Sequence, residues 1–206
     1  MDYLKIINSS NIRNNVVGTA TTQGEKMSSI ISDATKDFMR KISNSTTEDI
    51  LKFLDIETKQ IATRGENYKL YRYRNILMSY SDGQTAYNLE QNLESVKKFG
   101  ISPKFAGYFR LSKDKFLTIM EANSEKILPY SRFADKISAK TKQNFKNSFL
   151  ALVKNGIVNK EALANKDSLL VSSNGKQIII ADWNEIVPLT IDKQTEFIKI
   201  INDWKI

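Results

Sequence analysis

The sequence predicts an α+β fold, with antiparallel strands first and helices later, and three observations predict it. Between Glu57 and Ser81 polar residues alternate with apolar or aromatic ones, the period-two signature of half-buried strands. From Ser138 onward apolar residues recur at helical spacing. Between two late apolar runs stands Asn174-Gly175, the strongest short hairpin signal in the chain. From about residue 50 the expected order is strand, strand, helix, strand, strand, helix, hairpin, helix.

Residues 1–45 read as an N-terminal extension, partly flexible, with one helix. Asn, Ser and Thr dominate its first 25 residues, including GTATTQG at Gly18–Gly24. From Glu25 to Ile42, Met27, Ile30, Ile31, Ala34, Phe38 and Ile42 fall on one helical face. The stretch STTEDILKFLDI opens with a capping box on Thr46 or Thr47 and predicts a short helix. A Gly-centred turn at Gly65 then predicts a β-hairpin whose second strand covers Lys69–Met78. Leu89, Leu93, Val96 and Phe99 predict the next helix, stopped at Gly100. Lys104–Leu111 and Phe116–Glu121 read as strands joined by a polar turn. A helix ending at Gly156, the Asn174-Gly175 hairpin and an amphipathic helix from Ile191 complete the chain. Residues 46–206 are expected to form one domain, divided into a strand-rich lobe over 46–121 and a helical lobe over 122–206.

Composition narrows the chemistry. The 206 residues include no cysteine and no histidine, which excludes disulfides, thiolate metal sites, imidazole bases and nearly every zinc site. Catalysis would fall to Asp, Glu, Lys, Arg, Tyr or Ser. No stretch approaches the roughly 18 apolar residues of a membrane span, and the N-terminus lacks the basic start and apolar core of a secretory signal. The net charge of +8 suits phosphates, acidic proteins or nucleic acid. Basic residues concentrate with aromatics only in YKLYRYR, Tyr68–Arg74. That pattern permits base stacking with phosphate contact, but a half-exposed strand produces it too, and nucleic acid is not the expected partner.

Asp182 raises a sharper question. It ends the apolar run IIIA in the stretch QIIIADWNE, where its charge is half buried. It either caps the following turn or is delivered by the strand to a metal ion.

Taken with the order of elements, these residues resemble the protein-kinase-like family, which includes protein kinases and small-molecule phosphotransferases. Three stretches carry the resemblance, over about residues 50–187. NLESVKKFGISPKFAGYF is similar to the end of the family's regulatory helix and the strand after it; on that register Glu90 falls at the ion-pairing glutamate. Its basic partner, held against ATP phosphates, would be Arg72, with Lys69 and Arg74 as alternatives. FLTIMEANSE looks like the hinge between the lobes, where Met120, Glu121 and Ala122 would bind adenine through backbone groups. NGIVNKEALANKDSLLVSSNGKQIIIADWNE resembles the catalytic loop, hairpin and metal-binding strand. The resemblance implies Asp182 and Asp167 as Mg2+ ligands and Glu161 as the carboxylate beside the attacking hydroxyl.

The chain departs from the family in several places. Asn159 stands where the loop has histidine, Glu161 replaces aspartate, and the loop is one residue longer before Asp167. No glycine-rich loop immediately precedes the first hairpin, since GTATTQG lies far upstream of Arg72. Only 24 residues follow Asp182, leaving no room for a full helical lobe. The implied protein is a minimal two-lobed kinase with a reduced C-terminal lobe, similar to the short effector kinases that bacteria inject into host cells. Its expected activity is ATP- and Mg2+-dependent phosphotransfer to a protein, with a host protein among the expected partners. Its expected location is soluble, in the cytoplasm or injected into a host. The alternative is a pseudokinase of the same fold that binds a partner without chemistry.

Overall fold

The computed structural model describes residues 31–64, 68–204 and 206. Residues 25–30 of the expected first helix, and Gly65 of the expected turn, lie outside the described residues. The chain divides into two compact units, one of residues 1–86 with 105–121, the other of residues 87–104 with 122–206.

In the first unit, α1 (Asp33–Ser43) starts at Ser32, whose hydroxyl accepts from the Thr35 amide at 3.3 Å. Helix α2 (Thr47–Glu57) starts at Thr46 with the expected capping box, completed by Asp49. Five strands follow: β1 (Lys59–Arg64), β2 (Tyr68–Tyr73), β3 (Ile76–Ser81), β4 (Lys104–Arg110) and β5 (Phe116–Glu121), with α3 (Gly83–Val96) inserted between β3 and β4. They form an antiparallel sheet in the order β1-β2-β3-β5-β4. Met78 lies opposite Ile119, and this side of the sheet packs with Met39 and Ile42 of α1 and with Ile50 and Leu54 of α2. Phe38, Phe53 and Tyr73 stack over the same side, with ring centroids 5.2–6.0 Å apart. Gly107 has φ 154, which side chains rarely adopt, and a β-carbon there would stand 2.8 Å from the Met39 methyl, the flexible end of an α1 side chain. The N-terminal helix is thus part of this core.

One expectation is corrected here. The strand expected over Lys69–Met78 is two strands, β2 and β3, turning through Arg74 and Asn75 with Tyr73 paired to Ile76. Arg74 adopts φ 53, which a side chain ordinarily avoids. Its guanidinium lies 5.3 Å from the Tyr73 ring centroid, a cation–π contact that partly offsets the strain. Without glycine or Asn-Gly, the turn leaves no sequence signal.

The second unit contains most of α3, a short 3-10 turn (Lys97–Phe99) and Gly100 at φ 69, the expected stop. Leu89, Leu93 and Val96 are buried as their spacing predicted. Then come β6 (Ile127–Pro129), α4 (Tyr130–Phe133), α5 (Ala139–Lys154), β7 (Ile157–Val158), α6 (Lys160–Ala164), β8 (Leu169–Ser172), β9 (Ile178–Ile180), β10 (Val187–Pro188) and α7 (Ile191–Asp203). Strands β6, β8 and β9 form a three-stranded sheet in that order. The β8–β9 hairpin turns through Ser173–Lys176, with Gly175 at φ 68. Beyond α7, Trp204 packs on Phe145 and Phe149 of α5, at 6.0 and 5.6 Å between centroids. Among the described residues no helix is long and apolar enough to cross a membrane.

Candidate functional site

The β8–β9 hairpin positions the late carboxylates. Its last ladder pair is Leu169 with Ile180. One residue further, the Ala181 N–H donates to the Ser168 carbonyl at 2.8 Å, so the pairing continues past the strands. Asp167 lies just before this last bridge and Asp182 just after it in sequence. Asp167 is exposed on a 3-10 turn (Lys166–Ser168), its own N–H donating to the Asn165 side chain at 2.9 Å.

Asp182 is 3 % exposed. Its Oδ1 accepts from the Asn184 N–H at 3.0 Å, so the carboxylate caps the turn that follows. Carboxylate oxygens suit a hard ion such as Mg2+ when phosphates and waters complete its octahedron. Among the described residues no three acidic side chains gather into a metal cage, so such an ion would need a ligand to complete its shell.

Asn159, fully buried where the family loop has histidine, ties this segment to α6. Its Nδ2 donates to the Asp182 carbonyl at 2.6 Å, and its Oδ1 accepts from the Ala162 N–H at 3.0 Å, capping α6. Glu161 lies in the first turn of α6, where a negative charge suits the helix dipole. Its Oε1 accepts from Asn165 Nδ2 at 3.2 Å, and its carbonyl accepts from the Asn165 N–H at 2.9 Å. Asn165 thus bonds both Glu161 and the Asp167 main chain, and Asn159 ties α6 to the Asp182 main chain. Sequence reasoning named the three acids and missed the amides that hold them. Asn159 carried a signal, since a small amide replacing histidine can cap a helix and bind a carbonyl at once.

Arg72 is on β2 in the first unit, opposite Leu77 of β3. The strand that leads into α3 is β3, ILMSYS, which contains no lysine or arginine. Glu90 is on α3 in the second unit. Burial pushes its carboxyl above the usual range, and the Glu94 charge adds to the rise. Met120 and Ala122 are buried, and the Ala122 carbonyl accepts from the Ser124 N–H at 2.8 Å. The Glu121 carboxylate, 6 % exposed, accepts the Ser32 N–H at 2.9 and 3.2 Å, fastening the start of α1 to β5.

No protein-family model and no curated protein matches this chain. Solved structures similar to it include WbdD crystallised with a kinase inhibitor, at 12 % identity and a TM-score of 0.41 over 68 % of this chain and 36 % of that one. The Cydia pomonella granulovirus kinase PK-1 is similar at 11 % identity and 0.39, over 69 % of this chain and 56 % of that one. Rad53 bound to AMP-PNP is similar at 12 % identity and 0.34, over 62 % and 38 %. The chain thus spans about a third to just over half of these proteins' length. Scores below 0.5 leave the chemistry to this chain's own residues. Its fold is α+β, as expected from the sequence.

Proposed function

We propose that this chain is an ATP- and Mg2+-dependent phosphotransferase acting on a protein, with Asp182 and Asp167 as metal ligands and Glu161 beside the attacking hydroxyl. The observation that carries the reading is the late hairpin itself, with Asp167 just before its first strand and the buried Asp182 just after its second. Bound there, the magnesium nucleotide would supply the transferable phosphoryl group and the charge neutralisation on which its transfer depends. Glu161, restrained by Asn165, orients a substrate hydroxyl and accepts its proton at a carboxylate oxygen. Asn159 and the capping Asn184 N–H hold the Asp182 main chain and carboxylate in one arrangement, so little reorganisation is needed on binding.

Mg2+ with ATP should raise the melting temperature of the wild type, and Asp182→Asn should abolish the rise. Labelled phosphate from ATP should enter the protein itself or the proteins of a eukaryotic lysate. Such labelling also tests the finer expectations, a host-cell substrate and action as an injected effector. Arg72→Ala, beside Lys69→Ala and Arg74→Ala, tests the phosphate contact expected of that strand.

A second reading, a nucleotide-binding pseudokinase, is favoured by β3, which brings no basic side chain to the strand before α3. An Asp182-dependent thermal shift without phosphate incorporation would select it. The absence of any shift would sink both.

A further inference from the structure

Past β9 the chain leaves the sheet, yet three successive carbonyls are held by side-chain amides from distant segments. Asn159 Nδ2 donates to the carbonyl of Asp182 at 2.6 Å. Asn92 Nδ2, from α3, donates to the carbonyls of Trp183 at 2.9 Å and Asn184 at 3.1 Å. Between these anchors the Asn184 N–H holds the Asp182 carboxylate at 3.0 Å. Trp183 is fully buried and its indole N–H donates to the Ile180 carbonyl at 2.8 Å, which stops the segment from rolling.

We infer that Asn92 is a positioning residue for Asp182: it fixes the Trp183 and Asn184 carbonyls, hence the Asn184 N–H, hence the direction of the carboxylate. This inference rests on the metal-ligand reading of Asp182. Buried carbonyls need donors in any protein, and water or a ladder partner would satisfy that need. One amide spanning two successive carbonyls does more, because it fixes the orientation of two peptide planes. The Asn184 peptide N–H that reaches the carboxylate belongs to one of those planes. Helix α3 thereby becomes mechanically linked to the Asp182 carboxylate. A carboxylate whose anchoring N–H is fixed is restrained in orientation, as the partners of metal ligands commonly arrange. Nothing local marks Asn92 for this task, since it is one of several polar residues on α3.

The test has two arms. In the first, amide hydrogen exchange compares the wild type with Asn92→Ala and Asn92→Asp, with no ligand present. Exchange at Asn184 should accelerate at least tenfold in both variants, while the Leu170 and Ile179 amides of the hairpin keep their protection. Unchanged exchange at Asn184, or uniform acceleration across the unit, overturns the inference. In the second arm, Mn2+ is titrated at saturating ATP and ATP is titrated without metal. Asn92→Ala should weaken Mn2+ binding by about 10–100-fold, the usual cost of losing a partner of a metal ligand, and leave metal-free ATP affinity unchanged. Equal Mn2+ affinity in variant and wild type overturns the inference. A wild type that binds neither ATP nor Mn2+ sinks the proposed function instead, and the exchange arm still decides whether Asn92 orients the segment.

Discussion

The β2–β3 hairpin turns on Arg74 and Asn75; the β8–β9 hairpin turns on Ser173–Lys176 around Gly175. Both need a left-handed residue, Arg74 at φ 53 and Gly175 at φ 68. Glycine adopts that conformation without steric cost and so advertises the turn. Arginine adopts it under strain and hides it. The consequence reaches the expected residues: Asp182 follows closely on β9, the second strand of a hairpin announced by Asn174-Gly175, whereas Arg72 stands one strand away from the strand leading into α3. Where turn chemistry is conventional, position in sequence maps onto position in space; where a turn is held by packing and a cation–π contact, it does not.

The largest effect should come from the late hairpin's anchor. Asn159→Ala removes the α6 cap and leaves the buried Asp182 carbonyl without that donor. A lost cap together with an unpaired buried group costs about 2–4 kcal/mol of stability, measured by urea unfolding. Asn159→Asp keeps the acceptor for the Ala162 N–H but sets a carboxylate oxygen against the Asp182 carbonyl in a buried site, so it should cost at least as much as alanine. If Asn159→Ala costs under about 0.5 kcal/mol, the late hairpin end is no better fixed than the early turn.

Much of the molecule was legible because local chemistry and tertiary packing agree. Thr46 with Asp49 announced α2, Gly100 stopped the segment after α3, and Leu89, Leu93 and Val96 marked its buried side. The three acids around the late hairpin were legible by resemblance, since strand ends and loops fix their spacing. The amides were not. Asn92 and Asn159 bond to carbonyls 91 and 23 residues away in sequence, and no local pattern reports a partner at that separation. The bond between Glu121 and Ser32 was hidden for the same reason, and it gives Glu121 a side-chain task where only backbone groups were expected to act.

The two turns should respond oppositely to exchange of their left-handed residues. Gly175→Ala places a β-carbon at φ 68 with its nearest neighbour, the Lys136 carbonyl, 3.8 Å away. Space is available, so the cost is conformational, about 1 kcal/mol. Arg74→Gly removes a similar strain and forfeits the contact with Tyr73, for a net gain below about 1 kcal/mol. Thermal unfolding should show a lowered melting temperature for the first variant and an unchanged or raised one for the second. A clear loss in Arg74→Gly would mean that the cation–π contact, and not the backbone, sets that turn.

The smallest effect concerns α3, the helix that carries both Glu90 and Asn92. The Glu90 carboxyl is pushed up by burial and by Glu94, so folding favours its protonated form. Stability from this group is present in full below the unfolded-state pKa and is lost as pH rises through the higher folded-state value. Glu90→Gln mimics the protonated state and should abolish that loss. At neutral pH the variant should be slightly more stable than the wild type, with the difference vanishing below the ordinary glutamate range. The effect is modest because the side chain is partly open to solvent, which screens its charge. Urea midpoints at neutral and acidic pH measure it, and the same series with Mg2+ and ATP sharpens the comparison. A ligand that brings a cation beside Glu90 would draw its carboxyl down, so the stabilising effect of Glu90→Gln would reverse only when the nucleotide is bound. A glutamine variant that is equally stabilised with and without nucleotide would show that Glu90 stays unpaired, and would separate it in role from the carboxylates of the late hairpin.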